Sequence, residues 1–319
     1  MNTGTQTAVA EKPLAPGFWK GAGSTRKGYL LVLGAASCWA TSGVLFKTIA
    51  LNYGPAPLTL AFWRCFLTFS VLFAVLLLFR RDLLRVERQA LPLLTGAGVL
   101  GVALLQVLWV YAVELVGVAP AHILNYTAPA FVVVFSWLLW REPITWRKIA
   151  ALALTFGGCI PVARAYDFSQ VRLNWIGVLA GVGTGVAWGL YAVFGKILLR
   201  RHHSWTLMTY TFGIAALALL LPFPLRTLAF PLSRPWHLWI WLWLLALLPG
   251  VAGYGLYTWG LGYLSASAAA ITATAETLFA AILAALLLGD VLTPWQVLGS
   301  VLIIVGVVIL STRKQRTEP

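Results

Sequence analysis

The sequence predicts an all-α membrane protein whose ten transmembrane helices form two inverted five-helix repeats. Three observations carry this. Of 319 residues, 60% are hydrophobic and only 10% charged, against about 25% charged in a soluble domain. The apolar residues fall into ten runs near bilayer length, since a hydrocarbon core of about 30 Å takes roughly 20 residues of helix. The first five runs also share residues with the last five at a nearly constant offset. A soluble globule of this composition would leave much apolar surface in water, which excludes soluble enzymes and DNA-binding modules. The net charge of +14 does not point to nucleic acid, because the basic residues cluster at the ends of apolar runs.

Residues 1–27 hold Lys12, Pro13, Pro16, Gly17, Lys20, Arg26 and Lys27 but no apolar core of signal-peptide length, and read as a flexible cytoplasmic tail. Cutting the rest at charges and Pro/Gly clusters gives spans near 28–51, 57–79, 91–115, 118–140, 146–163, 174–199, 205–225, 238–262, 267–289 and 295–312, with a second tail at 313–319. With the N-terminus inside, cytoplasmic segments carry 16 of the 23 lysines and arginines, and external loops carry Arg164, Arg172, Arg226 and Arg234. This bias places both termini in the cytoplasm. Cys38, Cys65 and Cys159 lie inside apolar runs at no metal-binding spacing and read as small buried hydrophobes.

The repeat is legible in Trp39 to Lys47 against Trp188 to Lys196, each a Trp, seven residues and a Lys, 149 positions apart. Gly157 answers Gly306 at the same offset, and Glu142-Pro143-Ile144-Thr145-Trp146 answers Asp290-Val291-Leu292-Thr293-Pro294-Trp295 with one residue inserted. Residues 28–163 therefore form one repeat and 174–312 the other. Five spans is an odd number, so the second copy enters the membrane from the opposite side, as in secondary transporters built from inverted repeats.

At these residues the chain resembles the drug/metabolite transporter superfamily, specifically its EamA group of ten-span carriers. The resemblance covers about 28–312 and rests on Cys38-Trp39-Ala40-Thr41-Ser42-Gly43 with Lys47, Ala61-Phe62-Trp63-Arg64-Cys65-Phe66, Ala128-Pro129 and Arg141-Glu142-Pro143-Ile144-Thr145. The second copy keeps Ala187-Trp188-Gly189 and Leu288-Gly289-Asp290. It has Met208-Thr209-Tyr210-Thr211-Phe212 in place of the arginine motif, and Glu276-Thr277 where members often show a proline. The resemblance implies a carrier in a bacterial inner membrane that exports small metabolites, often amino acids or related compounds.

Polar groups in hydrocarbon are costly, so they face a cavity or a partner. In span 4, His122, Asn125, Tyr126 and Pro129 fall on one helical face, and Pro129 removes a backbone donor and kinks the helix. This face is a candidate substrate contact, with interhelical hydrogen bonding as the plainer reading. Trp39, Trp188, Tyr191, Tyr257 and Trp259, with Gln106 and Trp109 of span 3, are candidate walls of the same cavity. Tyr254 belongs with them.

Arg64 suits a carboxylate, a structural clamp on helix carbonyls, snorkelling to the outer interface, or a gate. Glu276 suits proton coupling, a substrate amine, or pairing with Arg64 or a backbone group. Lys47 and Lys196, near span ends, read as snorkelling side chains. Pro249 and Gly250 in span 8 mark a candidate hinge or a close helix contact. Glu142 and Asp290 read as groups that cap or orient the next helix.

No catalytic residues, metal site or cofactor are expected. The expected partners are a small-molecule substrate, lipid, and protons as a candidate coupling ion, in a monomer or dimer that does not bind nucleic acid. A membrane-embedded enzyme and a sensor or structural membrane protein are the alternatives. Neither a metal-binding His-Glu-x-x-His pair nor a nucleophile elbow occurs, and no phosphate-binding Gly-Lys-Ser/Thr loop points to ATP.

Overall fold

The computed structural model describes residues 24–163, 174–221, 224–288 and 293–311. Among them every regular element is helical. α1 spans Ser24–Tyr53 and α2 Pro57–Phe79. After two 3-10 turns, α3 (Leu91–Gly96), a π-helical segment (Ala97–Ala103) and α4 (Leu104–Val116) run on as one rod. α5 (Val118–Asn125), α6 (Ala128–Trp140) and α7 (Trp146–Val162) complete the first half. The second half opens with α8 (Trp175–Leu198), α9 (Ser204–Leu220) and the short α10 (Pro224–Ala229). α11 (Leu238–Leu245), a second π-helical segment (Ala246–Gly253) and α12 (Tyr254–Tyr263) again form one rod. α13 (Ala266–Ala273), α14 (Glu276–Leu288) and α15 (Pro294–Ser311) follow.

Eight stretches among the described residues are long and apolar enough, by length and composition, to cross a membrane, against the ten expected. The expected spans at 146–163 and 205–225 become α7 and α9, of 17 residues each. At 1.5 Å per residue each reaches about 25 Å, short of a core of about 30 Å. α7 also opens on Trp146-Arg147-Lys148, whose charges lower its apolar content. The N-terminal tail is likewise shorter than read, because α1 already begins at Ser24. Asp290 and the segments 164–173 and 312–319 lie outside the described residues.

Helix packing follows small residues. A Cβ on Gly158 of α7 would lie 2.5 Å from the carbonyl oxygen of Gly299 on α15, so only glycine lets these backbones touch. Gly177 and Gly183 seat α8 on α4, and Gly28 and Gly260 join α1 to α12. The pairings are reciprocal under the 149-residue offset. α4 packs on α8 as α12 packs on α1, and α6 packs on α8 as α14 packs on α1. The two π-helical segments also begin 149 residues apart, at Ala97 and Ala246. Outward faces carry Leu78, Leu138, Leu179 and Leu286, all exposed, as a lipid-facing surface requires.

Spans 4 and 9 each pass through a turn while running on as one rod. Span 4 has it at Tyr126-Thr127 between α5 and α6, and span 9 at Thr274-Ala275 between α13 and α14, with Tyr126, Thr127 and Thr274 staying in the right-handed helical region. Thr127 Oγ1 donates to Leu124 O (2.6 Å) and Thr274 Oγ1 to Ile271 O (2.7 Å), each closing its turn. Pro129 occupies the first turn of α6, directly after the Tyr126-Thr127 turn, where its missing N–H goes with the local loss of regular helical bonding.

Candidate functional site

The aromatic residues of the sequence motifs meet in the bundle centre. The Trp39 ring lies 5.2 Å from Trp188, 5.1 Å from Tyr254 and 5.3 Å from Tyr257, between ring centroids. Trp188 stacks on Tyr191 at 5.6 Å, and Tyr191 meets Tyr254 at 5.6 Å. Phe212 of α9, which sequence reasoning did not single out, closes the group edge-on against Tyr254 at 4.9 Å. Its only signal was its place in the motif that replaces the arginine.

The second π-helical segment frames this box. Pro249 has no N–H, and the widened turn leaves carbonyls for side chains to satisfy. The Trp39 indole N–H donates to Pro249 O (3.1 Å), and the Thr68 hydroxyl to Ala246 O (3.3 Å). Gly250 lies against Thr68 and Gly253 against the Trp39 ring, both closer than a Cβ allows. The Pro249-Gly250 pair is thus a close-contact element and a break in helical geometry. The first half has a matching π-helical segment that the sequence reading did not identify, although Gly96, Gly98 and Gly101 mark it.

Several buried polar atoms in this region have no hydrogen-bond partner: Tyr191 and Tyr257 hydroxyls, Gln106 Nε2, Asn125 Oδ1 and Arg64 Nε. An unpaired buried polar group costs about 1–3 kcal/mol. Native interiors keep few of them, and each calls for a missing partner such as water or a ligand.

Glu276 is the first residue of α14, directly after the turn at Thr274-Ala275. Arg64 is the charged group whose field reaches it, and both act on Tyr254. Yet Arg64 and Glu276 form no ion pair within 4.0 Å, since the ion pairs among the described residues are Arg80–Asp82 and Lys148–Glu142. Among the described residues no carbonyl accepts a hydrogen bond from Arg64, and its guanidinium carbon sits 5.7 Å from the Phe46 ring centroid.

Tyr126 in the α5–α6 turn packs against the buried cluster that includes Ala36, Cys159 and Ala275. His122 stacks on Tyr126 at 6.2 Å and meets Trp109 edge-on at 4.5 Å. Two residues of the expected face of span 4, His122 and Tyr126, thus lie side by side. Trp259 does not join either group: it is exposed, with Lys27 Nζ 4.6 Å from its ring.

At the end of the bundle where α6, α8 and α12 finish, Glu142 links the two halves. Its Oε1 accepts from Lys148 Nζ (2.6 Å) and from Ser267 Oγ (2.7 Å) of α13. The cap of α7 is instead Thr145, whose hydroxyl accepts from Lys148 N (3.4 Å), so Glu142 is a cross-half tie rather than a cap. Burial alone would raise the Glu142 carboxyl, but the Lys148 ammonium and the serine hydroxyls outweigh it and hold the group below its ordinary value.

A lowered folded pKa means that this carboxylate contributes stability above its unfolded pKa of about 4.3, lost only as pH falls through the folded value. Glu142→Gln should therefore cost about 2 kcal/mol at neutral pH. The difference from the parent protein should shrink toward zero on acidification below about pH 4. Melting curves of both proteins across pH test this, and a gap that widens in acid would contradict the assignment. Lys196, expected to snorkel, instead donates to Leu261 O (2.9 Å) and Leu264 O (2.6 Å).

Comparison with known proteins adds a family. Residues 26–164 and 175–312 each match the model of the EamA-like transporter family. An uncharacterized transporter of Archaeoglobus fulgidus is 28% identical, with 84% of this chain and 93% of that protein covered. The pseudopaline exporter CntI of Pseudomonas aeruginosa is 26% identical, with 91% and 98% covered. One crystal structure superimposes with a TM-score of 0.71 at 19% identity, over 89% of this chain and 96% of that one, a likeness of fold alone.

Proposed function

This chain belongs to the EamA-like transporter family, and from that premise we propose that it is a secondary carrier exporting small metabolites, such as amino acids or related compounds, by alternating access. Its repeats are residues 28–163 and 174–312, ten membrane-crossing segments in all, inverted with respect to each other and with both termini cytoplasmic. The observation that carries this reading is the pair of turns interrupting spans 4 and 9, at Tyr126-Thr127 and Thr274-Ala275, at corresponding places in the two halves. Interrupted helices at matching positions of two repeats are where carriers of this build place their substrate and ion contacts. The reciprocal helix pairings and matched π-helical segments support two like halves.

In this reading the box of Trp39, Trp188, Tyr191 and Tyr257 walls the substrate path, with His122, Asn125, Tyr126, Gln106 and Trp109 as its polar side. The unpaired Tyr191, Tyr257, Gln106 and Asn125 atoms are the groups a substrate satisfies. Arg64 and Glu276 are the coupling or gating pair, and protons the candidate coupling ion. Pro249 and Gly250 give α11–α12 its yielding point, and Pro129 starts the half-helix that faces the substrate. Trp259 lies outside the box and is left to the interface.

Counterflow in proteoliposomes, run against amino acids, other carboxylates and aromatic cations, tests the carrier. A transported compound should be found whose exchange weakens at least tenfold in Asn125→Ala or Tyr126→Phe, because each removes a polar group from a dry site, worth about 1–3 kcal/mol. Normal exchange in both variants, with folded protein, would move the site elsewhere in the bundle. A cysteine at Asp167, labelled from outside intact cells, checks the orientation.

A further inference from the structure

Two lysines related by the repeat stand in opposite surroundings. Lys196, near the end of α8, gives its ammonium to Leu261 O (2.9 Å) and Leu264 O (2.6 Å) at the end of α12, and it lies within the field of Glu142. Lys47, 149 positions earlier on α1, is exposed and makes no hydrogen bond or ion pair among the described residues. The positions one turn deeper differ in the same sense. Ala192 on α8 is fully buried. Its counterpart on α1, Gly43, is exposed, and a Cβ there would meet nothing within 4 Å.

The two segments share Trp, Val and Lys at like positions, and two like halves held in different conformations produce such a contrast. The C-terminal end of α8 is packed, and the corresponding end of α1 is exposed. An ammonium is well suited to hold such an end shut. It brings three donors on a flexible stem to the last-turn carbonyls, where the helix dipole is negative.

We infer that Lys196 and Lys47 are reciprocal gate residues. Lys196 holds the α12 end closed in the present state, and Lys47 holds the opposite end closed in the alternate one. The partners of Lys47 follow from the offset. They are the carbonyls of Ala112 and Leu115 in α4, 149 positions before Leu261 and Leu264. The Glu142–Ser267 tie lies at the Lys196 end. The first half's Lys148 is answered by Val297 in the second, so that additional tie has no lysine to complete it at the other end. The inference rests on the carrier reading, since two alternating states are what give two gates a use.

The test reads access rather than substrate. Ala192→Cys and Gly43→Cys serve as reporters, each compared with the same protein lacking the added cysteine, and are labelled with a membrane-impermeant maleimide from either face of oriented vesicles. In the parent protein Gly43→Cys should label fast and Ala192→Cys slowly. Lys196→Met should speed Ala192→Cys at least tenfold, the scale of losing charge-assisted hydrogen bonds, and slow Gly43→Cys. Lys47→Met should move both rates the other way, and Lys196→Arg should restore the parent pattern.

If Lys196→Met does not yield folded protein, Lys47→Met alone decides, because an exposed lysine can be replaced without loss of packing. Rates that shift in the same direction in both variants, or not at all, overturn the inference and return the lysines to snorkelling. Opposed shifts in a protein that fails every counterflow assay would keep the gates and sink the carrier reading.

Discussion

Net uptake driven by an imposed pH gradient should be abolished in Glu276→Gln while the protein stays folded, with a melting temperature equal to or above that of the parent. The reason lies in what Glu276 does not do. It heads α14 in the bundle interior and has no ion-pair partner within 4.0 Å among the described residues. A carboxylate doing structural work in such a place needs a paired cation, because desolvating an unpaired charge costs several kcal/mol. Glutamine keeps the shape and removes the ionisable group, so a structural loss is not expected.

Exchange of substrate for substrate separates the remaining roles. A proton carrier must change its charge each cycle, so exchange survives the substitution while net uptake does not. A group that binds a substrate amine is needed in every binding event, so both fail. Unchanged pH-driven uptake by stable Glu276→Gln protein would remove this residue from the mechanism.

Gly158→Ala should cost about 3 kcal/mol or more, the upper range for forcing atoms into a packed interior, and much of the protein should be lost from the monodisperse fraction. Its added Cβ would stand 2.5 Å from Gly299 O and 2.9 Å from Ile303 Cγ1. The nearest obstacle is backbone, which cannot swing aside, so α7 and α15 must part. Gly157→Ala is the internal control. A Cβ at Gly157 meets nothing within 4 Å, and the change should fall within about 0.5 kcal/mol. Detergent melting of the two variants side by side gives the comparison, and equal stabilities would mean that the α7–α15 contact is looser than it stands here.

Much of the helix order was legible because lipid imposes a simple rule. Every backbone polar group must be satisfied within its own helix, so long apolar runs have one solution. The run at 57–79 became α2 with the same bounds, and 238–262 became α11 to α12 with one residue added. The breaks at Tyr126-Thr127 and Thr274-Ala275 were not legible. Pro129 hinted at the first. Nothing in Ala273-Thr274-Ala275 breaks a helix by local preference, and the second turn stands where the contacts of α13 with α6, α8 and α12 give way to those of α14, which keeps α1, α7 and α15.

Residue roles divide in the same way. Trp39, Trp188, Tyr191 and Tyr257 could be grouped from motif and periodicity, and tertiary packing put their centroids 5–7 Å apart. Trp259 looked equivalent to them by sequence, but it faces outward beside Lys27, since its position on α12 is two residues beyond Tyr257 and about 200° around the helix. Glu142 offered no hint of Ser267, 125 residues away.

The sequence alone determined the membrane class, the helix order and the kinship of the two halves, because hydropathy and repetition are local properties that survive in any conformation. Tertiary structure decided which of two like lysines is engaged, which polar atoms are stranded and which glycine touches another backbone. Those depend on contacts between segments far apart in the chain, and a lysine that recurs at the same place in both halves reads alike in sequence whatever surrounds it in the fold.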